Sequence, residues 1–351
     1  MSEHTVGSNA SVYNADINTA GTWICRDDSG NYWSVFKDLD NNIAIYKSTN
    51  SGVTWTLMKT LSSSDFTSLT MPVDSFSIAH LVGQNKVYIF LEKRGTLANK
   101  CWGWVINTLT DVGSVDLDND DLYLANTLYT IYKPEIRWDS YNNKLYVGYG
   151  HNGITAECFY HEIKLDGTLG TVNHVTTLNP AYQGSFAIDS NGNKFFTGYS
   201  NAGAYTAIFK NTGSTHKHTA YYGTGITYLF MGTICDYDNK VVFGFVIGTV
   251  FHTYRADNNL TTFELDDSQV DLGAGHTPTI AFLTVDGLGN IYWFYTDSYD
   301  NEAYYIKYNV TTATWGSSIK ISSDNDGKLV CPELRCPIDK TQLLVTYQAV
   351  A

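Results

Sequence analysis

Two segments of the chain carry the same ordered set of reactive side chains: Lys133-Pro134-Glu135-Ile136-Arg137 and Cys331-Pro332-Glu333-Leu334-Arg335. Residues two apart on an extended strand point to one side. Glu135 therefore shares a side with Arg137, and Glu333 with Arg335. A guanidinium so placed either clamps an anionic or hydroxylated ligand bidentately or closes on its neighbour as a structural ion pair. Arg94 and His151 add a further cation and a titratable base, so the candidate ligand-binding set is Arg137, Arg335, Arg94 and His151. Glu135, Glu333 and Asp297 are the carboxylates from which an acid/base pair for glycoside hydrolysis could be drawn. No spacing in the sequence pairs them, and the catalytic residues stay unassigned.

Other groups have plainer readings. Trp102 and Trp104 alternate with Cys101 and Gly103 on one apolar run, either as a sugar-stacking shelf or as packing. Asp116-Leu-Asp118-Asn-Asp120 and Asp324-Asn-Asp326-Gly327 offer closely spaced oxygens for Ca²⁺, but neither continues to the distal Glu of a full calcium loop. No cofactor is expected. The six cysteines (Cys25, Cys101, Cys158, Cys235, Cys331, Cys336) form no C-x-x-C pair and read as free, mostly buried thiols.

Composition narrows the partners. The net charge is −13, and the chain holds only five arginines (Arg26, Arg94, Arg137, Arg255, Arg335), which argues against nucleic acid. No apolar run approaches a membrane span. The first ten residues lack the basic and apolar regions of a secretory signal. The expectation is a chain made in the cytoplasm, working there or carried out by assembly into a virion or other particle, with carbohydrate or other protein subunits as partners.

What must position these residues is a repeat. A polar turn, an Asn, then a strongly apolar and aromatic run recurs seven times. The marker residues are Asn31, Asn85, Asn143, Asn193, Asn239, Asn290 and, in the last copy, Gln342, at spacings of 54, 58, 50, 46, 51 and 52. Gly and Asn tolerate positive φ, so each turn suits a tight hairpin. Two further strands fit before the next marker, and helical periodicity is absent. Four short antiparallel strands about every fifty residues describe a propeller blade. The expected fold is all-β: one β-propeller domain over residues 1–351, with seven four-stranded blades, or six if the second copy is misread. Residues 1–20 are expected to complete the last blade, closing the ring between the termini. Repeats then run from residue 21 to 351. In this arrangement the ends of second strands, carrying Glu92, Arg94, His151, Asn152, Asn201 and Asp297, share a face with the starts of first strands.

Ser48-Thr49-Asn50-Ser51-Gly52-Val53-Thr54-Trp55 resembles the Asp-box of sialidase-like (BNR-repeat) propellers, Ser-x-Asp-x-Gly-x-Thr-Trp, with Asn50 at the Asp position. Asn50 can close an Asx turn, Gly52 can be left-handed and Trp55 can pack on the blade. Echoes stand at Asn211–Thr215, Thr262-Phe263 and Thr314-Trp315. In that family the box is a folding device away from the active site, so the structural set is Ser48, Asn50, Gly52, Thr54 and Trp55. The resemblance implies the fold. The sialidase catalytic set does not follow: the Arg-Ile-Pro motif is missing, and Arg26, the nearest candidate, abuts the first turn. The expected function is a non-catalytic binding or assembly module, such as a phage or virus particle component or a host-surface glycan receptor. The alternative is a carbohydrate-active enzyme, a glycoside hydrolase or polysaccharide lyase.

Overall fold

The computed structural model describes residues 23–38, 40–93, 99–122, 130–152, 157–176, 181–200, 205–210, 216–221, 229–235, 238–321, 327–332, 343 and 345–349. The fold is all-β, that of a β-propeller, and its sheets follow one another along the chain in sequence order. Blade one is Ile24–Arg26, Tyr32–Lys37, Ile43–Ser48 and Thr56–Leu61. Blade two is Ser75–Leu81, Lys86–Lys93, Asn99–Asn107 and Val112–Leu122. Blade three is Thr130–Asp139, Lys144–Asn152, Glu157–Lys164 and Thr168–Leu169, with Asn173–Thr176 also pairing with its third strand. Blade four is Ala181–Ile188, Lys194–Ser200, Tyr205–Lys210 and His216–Tyr221. Blade five is Leu229–Cys235, Val241–Ile247, Val250–Ala256 and Phe263–Asp271. Blade six is Pro278–Val285, Ile291–Asp297 and Ala303–Asn309, whose outer side pairs with both Thr314–Trp315 and Ile319–Lys320.

Among the described residues six blades, not seven, are formed. The seventh marker copy yields only a two-stranded sheet, Gly327–Pro332 with Val345–Ala349. The segment expected to complete it, residues 1–20, lies outside the described residues, as does Gln342. By compactness the chain divides into residues 1–174 and 175–351.

Each marker turn is the hairpin between first and second strands, and its chemistry is more specific than an Asn with a Gly. In four blades the turn opens on a buried Asp: Asp27, Asp139, Asp189 and Asp286. Asp286 is typical. Its Oδ1 accepts the Leu288 and Asn290 backbone N–H groups at 3.0 and 2.9 Å. Its Oδ2 accepts Asn290 Nδ2 and Tyr292 Oη at 2.8 and 2.9 Å. Asp27 repeats this with Ser29, Asn31 and the Trp33 indole N–H. Asp189 repeats it with Asn191 and Asn193. The left-handed position falls on Gly30, Gly192 and Gly289 in these copies, and on Asn143 after Asp139. Such a clasp satisfies backbone donors that a buried turn would otherwise strand.

The Ser48–Trp55 loop closes on itself in the same spirit. Asn50 Oδ1 accepts the Thr54 N–H at 2.9 Å, and Ser48 Oγ accepts the Gly52 N–H at 3.0 Å. Gly52 has φ +85°, and half-buried Trp55 donates its indole N–H to the Gly52 carbonyl.

Second strands are sealed on both faces. Val87–Leu91 and Ile291–Tyr295 are buried throughout, which is why they read as unbroken apolar runs and do not alternate. In residues 1–174, Leu81, Tyr88 and Phe90 of blade two pack with Ile136, Leu145, Val147 and Tyr149 of blade three. In residues 175–351, Val242, Val246 and Phe251 of blade five pack with Val285, Trp293 and Tyr295 of blade six. Glycines permit the closest approaches. A Cβ on Gly244 would sit 2.4 Å from the His252 carbonyl oxygen and 2.7 Å from Trp293 Cζ2. The outer strands Val112–Leu122 and Phe263–Asp271 are richly acidic and partly exposed, which blunts their open edges against strand addition.

Candidate functional site

The second strand of blade six ends at Asp297, where the chain turns through Ser298–Asn301 into the third strand. The hairpin is closed by Asp297 N–H to the Glu302 carbonyl at 2.9 Å and Asn301 N–H to the Asp297 carbonyl at 2.9 Å. Against it lies the connector 272–277 entering the same blade. Gly273 and Gly275 are left-handed there, with φ of +87° and +95°. Asp271 Oδ1 anchors the connector by accepting the Gly273 N–H at 2.9 Å, and Ser298 N–H reaches the Thr277 carbonyl at 2.9 Å.

This juxtaposition brings His276 to Asp297. Imidazole Nδ1 is 2.5 Å from Asp297 Oδ2, while Oδ1 accepts the backbone N–H groups of Tyr299 and Thr277 at 3.0 and 3.3 Å. The Asp297 side chain is 3% exposed and the His276 side chain 44%. Because an ionised carboxylate can only accept, Nδ1 carries the hydrogen, and in the neutral ring Nε2 is the acceptor. Among the described residues Nε2 has no hydrogen-bond partner. The Tyr299 ring, 73% exposed, lies 5.2 Å from the imidazole at 46°. The site is an aromatic face beside an oriented, solvent-reaching imidazole.

Carboxylates surround it. Asp300 accepts Tyr304 Oη at 2.6 Å and the Glu302 N–H at 3.1 Å. Burial, then the bond to Asp300, push the Tyr304 phenol up. Glu302 is fully buried and paired with Lys320 Nζ at 2.8 Å. Tyr295, bonded to Ser318 Oγ, is pushed up to about 12 by burial.

Asp297 is the only one of the residues singled out from sequence that this site contains, and here it orients His276. The sequence reading missed His276. An acidic residue closing a hairpin with a His in the preceding connector was the available sign.

Glu135 and Arg137 lie on the first strand of blade three, both buried. Arg137 Nη2 donates to Glu135 Oε2 at 2.8 Å and Nη1 to the Ile136 carbonyl at 2.9 Å. The pair is an internal ion pair. Glu92 is buried and accepts Ser75 Oγ at 3.0 Å and Asn99 Nδ2 at 2.5 Å. Arg94, Asn201, Glu333 and Arg335 lie outside the described residues, as does the side chain of His151.

The Trp102–Trp104 shelf is not formed. Trp102 is 1% exposed and donates its indole N–H to the Thr67 carbonyl, and half-buried Trp104 packs edge-on to Phe66. Asp116 accepts Tyr88 Oη and Asp118 the Thr67 N–H. Among the described residues no group of His, Cys, Asp and Glu is arranged to hold a metal ion. Asp324–Asp326 lie outside the described residues. Cys101, Cys158 and Cys235 are buried and Cys25 is partly buried.

No family model matches the chain, and no curated protein matches it in sequence. Solved structures do match. An α-L-arabinofuranosidase of Fusarium graminearum, bound to an iminosugar inhibitor, aligns with TM-score 0.58 and 10% identity over 87% of this chain and 97% of that one. A Hadza microbial sialidase aligns with TM-score 0.55 and 11% identity, over 85% of this chain and 68% of that one. The lectin of Aleuria aurantia, bound to a fucose-containing disaccharide, aligns with TM-score 0.52 and 10% identity, over 84% and 94%. At these identities the likeness is one of fold. That fold is the β-propeller. No helix of the described residues is long and apolar enough to cross a membrane.

Proposed function

We propose that this protein is a carbohydrate-binding β-propeller, a recognition module that holds a glycan on blade six without cleaving it. The observation that carries the reading is the exposed Tyr299 ring beside an imidazole whose Nδ1 is held by buried Asp297. Sugar rings present C–H faces that stack on aromatic rings, and their hydroxyls donate to a fixed acceptor such as Nε2. Two of the three candidate carboxylates are engaged: Glu135 with Arg137, and Asp297 with His276 and two backbone amides. Propellers of this architecture include a lectin as well as glycosidases, which supports a glycan as the ligand. A glycan array run beside a glycosidase and lyase screen tests the proposal. Binding lost in Tyr299→Ala, without turnover by the wild type, is the expected result.

One observation favours a second reading. An Asp-oriented imidazole with a free Nε2 is also the geometry of a general base. Glycan turnover that disappears in His276→Ala would move the protein into the enzyme class.

A further inference from the structure

Resting on the glycan-binding reading of blade six, we infer that the ligand is an uncharged sugar, and that acidic sugars such as sialic acid or uronates are rejected. The two segments that build the site, Asp271–Thr277 and Asp297–Glu302, contain four carboxylates (Asp271, Asp297, Asp300, Glu302) and no Lys or Arg. Lys320 of blade six pairs with Glu302. His276 donates its Nδ1–H to Asp297, so any charge on the ring is offset by that buried carboxylate.

Recognition of a sugar carboxylate needs a guanidinium or ammonium placed to meet it. Here an approaching anion meets Asp300, half-buried on the hairpin two residues before Glu302, with buried Asp297 beneath the imidazole. Like charges a few ångströms apart repel even in water, and more strongly beside a protein surface. A neutral sugar loses nothing to that field. Its apolar face covers Tyr299 and one hydroxyl donates to Nε2.

The test is calorimetric titration of the full chain with neutral saccharides (lactose, galactobiose, arabinobiose) and carboxylated ones (3′-sialyllactose, digalacturonic acid), at low and high salt. Expected is binding of at least one neutral probe, with its carboxylated counterpart about tenfold weaker at low salt, a gap that narrows as salt screens it. Asp300→Asn should narrow the gap two- to threefold, on the same electrostatic ground. Equal or tighter binding of the carboxylated member would overturn the inference and leave the glycan-binding reading standing. Binding that Tyr299→Ala does not weaken would overturn both the inference and the blade-six reading, since the site would then lie elsewhere. Absence of binding by every probe, with the protein shown folded by its thermal transition, would overturn both.

Discussion

His276 Nδ1 lies 2.5 Å from Asp297 Oδ2, a contact between a connector and a hairpin 21 residues further along the chain. The carboxylate is sealed from solvent and fixed by two backbone amides, so the imidazole inherits its orientation. Replacing Asp297 by Ala should free the ring and strand the Thr277 and Tyr299 N–H groups. We expect glycan affinity about tenfold lower and stability lower by about 1–3 kcal/mol. His276→Ala should lose the affinity while changing stability by less than about 1 kcal/mol, because the ring is half exposed. Calorimetric titration and chemical denaturation of both variants separate the two effects.

The Glu135–Arg137 pair should matter to folding and not to binding. Both side chains are about 8% exposed at 2.8 Å separation. Removing one partner of a buried ion pair typically costs about 3–5 kcal/mol. Glu135→Ala is expected in that range and Glu135→Gln well below it, since the amide oxygen can still accept. Denaturant titrations should show the difference, with glycan affinity unchanged in Glu135→Gln.

Gly244 is expected to resist any side chain. The clash of its would-be Cβ is with a backbone carbonyl and a buried indole carbon, neither of which can swing away. Gly244→Ala should cost about 1–3 kcal/mol through overpacking, read as a lower melting temperature. Gly30, which has open space around its would-be Cβ but φ +81°, should suffer instead from backbone strain alone.

Asp286→Ala removes four hydrogen bonds from one turn and leaves Tyr292 Oη and Asn290 Nδ2 without their acceptor. A loss of about 2–4 kcal/mol follows, because part of the backbone can still reach water. Asp286→Asn, which keeps one acceptor oxygen, should recover part of it. Equal destabilisation by Asn and Ala, measured by urea unfolding, would refute the acceptor role.

Burial lowers the pKa of His161, whose Nδ1 reaches the Gly170 carbonyl at 2.9 Å and whose Nε2 meets Tyr149 Oη at 2.8 Å. Above the unfolded value near 6.5 both states are neutral and the group contributes no pH dependence. As pH falls below that, the unfolded chain takes up a proton the folded one resists, so stability declines towards the lowered folded pKa and then levels off. Melting temperatures across pH 7.5 to 5 (about the range that brackets the unfolded value) should fall less steeply for His161→Gln than for the wild type.

Much of the fold was legible because its signals are local. The marker turns depend on Asn and Gly at positions of positive φ, and Asn85, Asn143, Asn239, Gly30, Gly192 and Gly289 all adopt it. The apolar runs after them are second strands because a strand covered on both faces is filled mostly by apolar residues. The blade count was not legible. A marker turn requires only two strands, and in the last copy the described residues hold two. The tryptophan shelf failed for a related reason: alternation shows that Trp102 and Trp104 share a side but not that the segment around Thr67 covers it.

By itself the sequence determined the all-β class, the fifty-residue repeat, the hairpin turns and the side shared by Glu135 and Arg137, because each follows from backbone geometry over a few residues. Tertiary structure decided what those residues do. It folded Glu135 and Arg137 onto each other inside blade three, buried the clasp aspartates, and set a connector histidine against a hairpin aspartate. Such contacts depend on how segments far apart in sequence pack and on which groups lose water in doing so, and neither is written in the spacing of residue types.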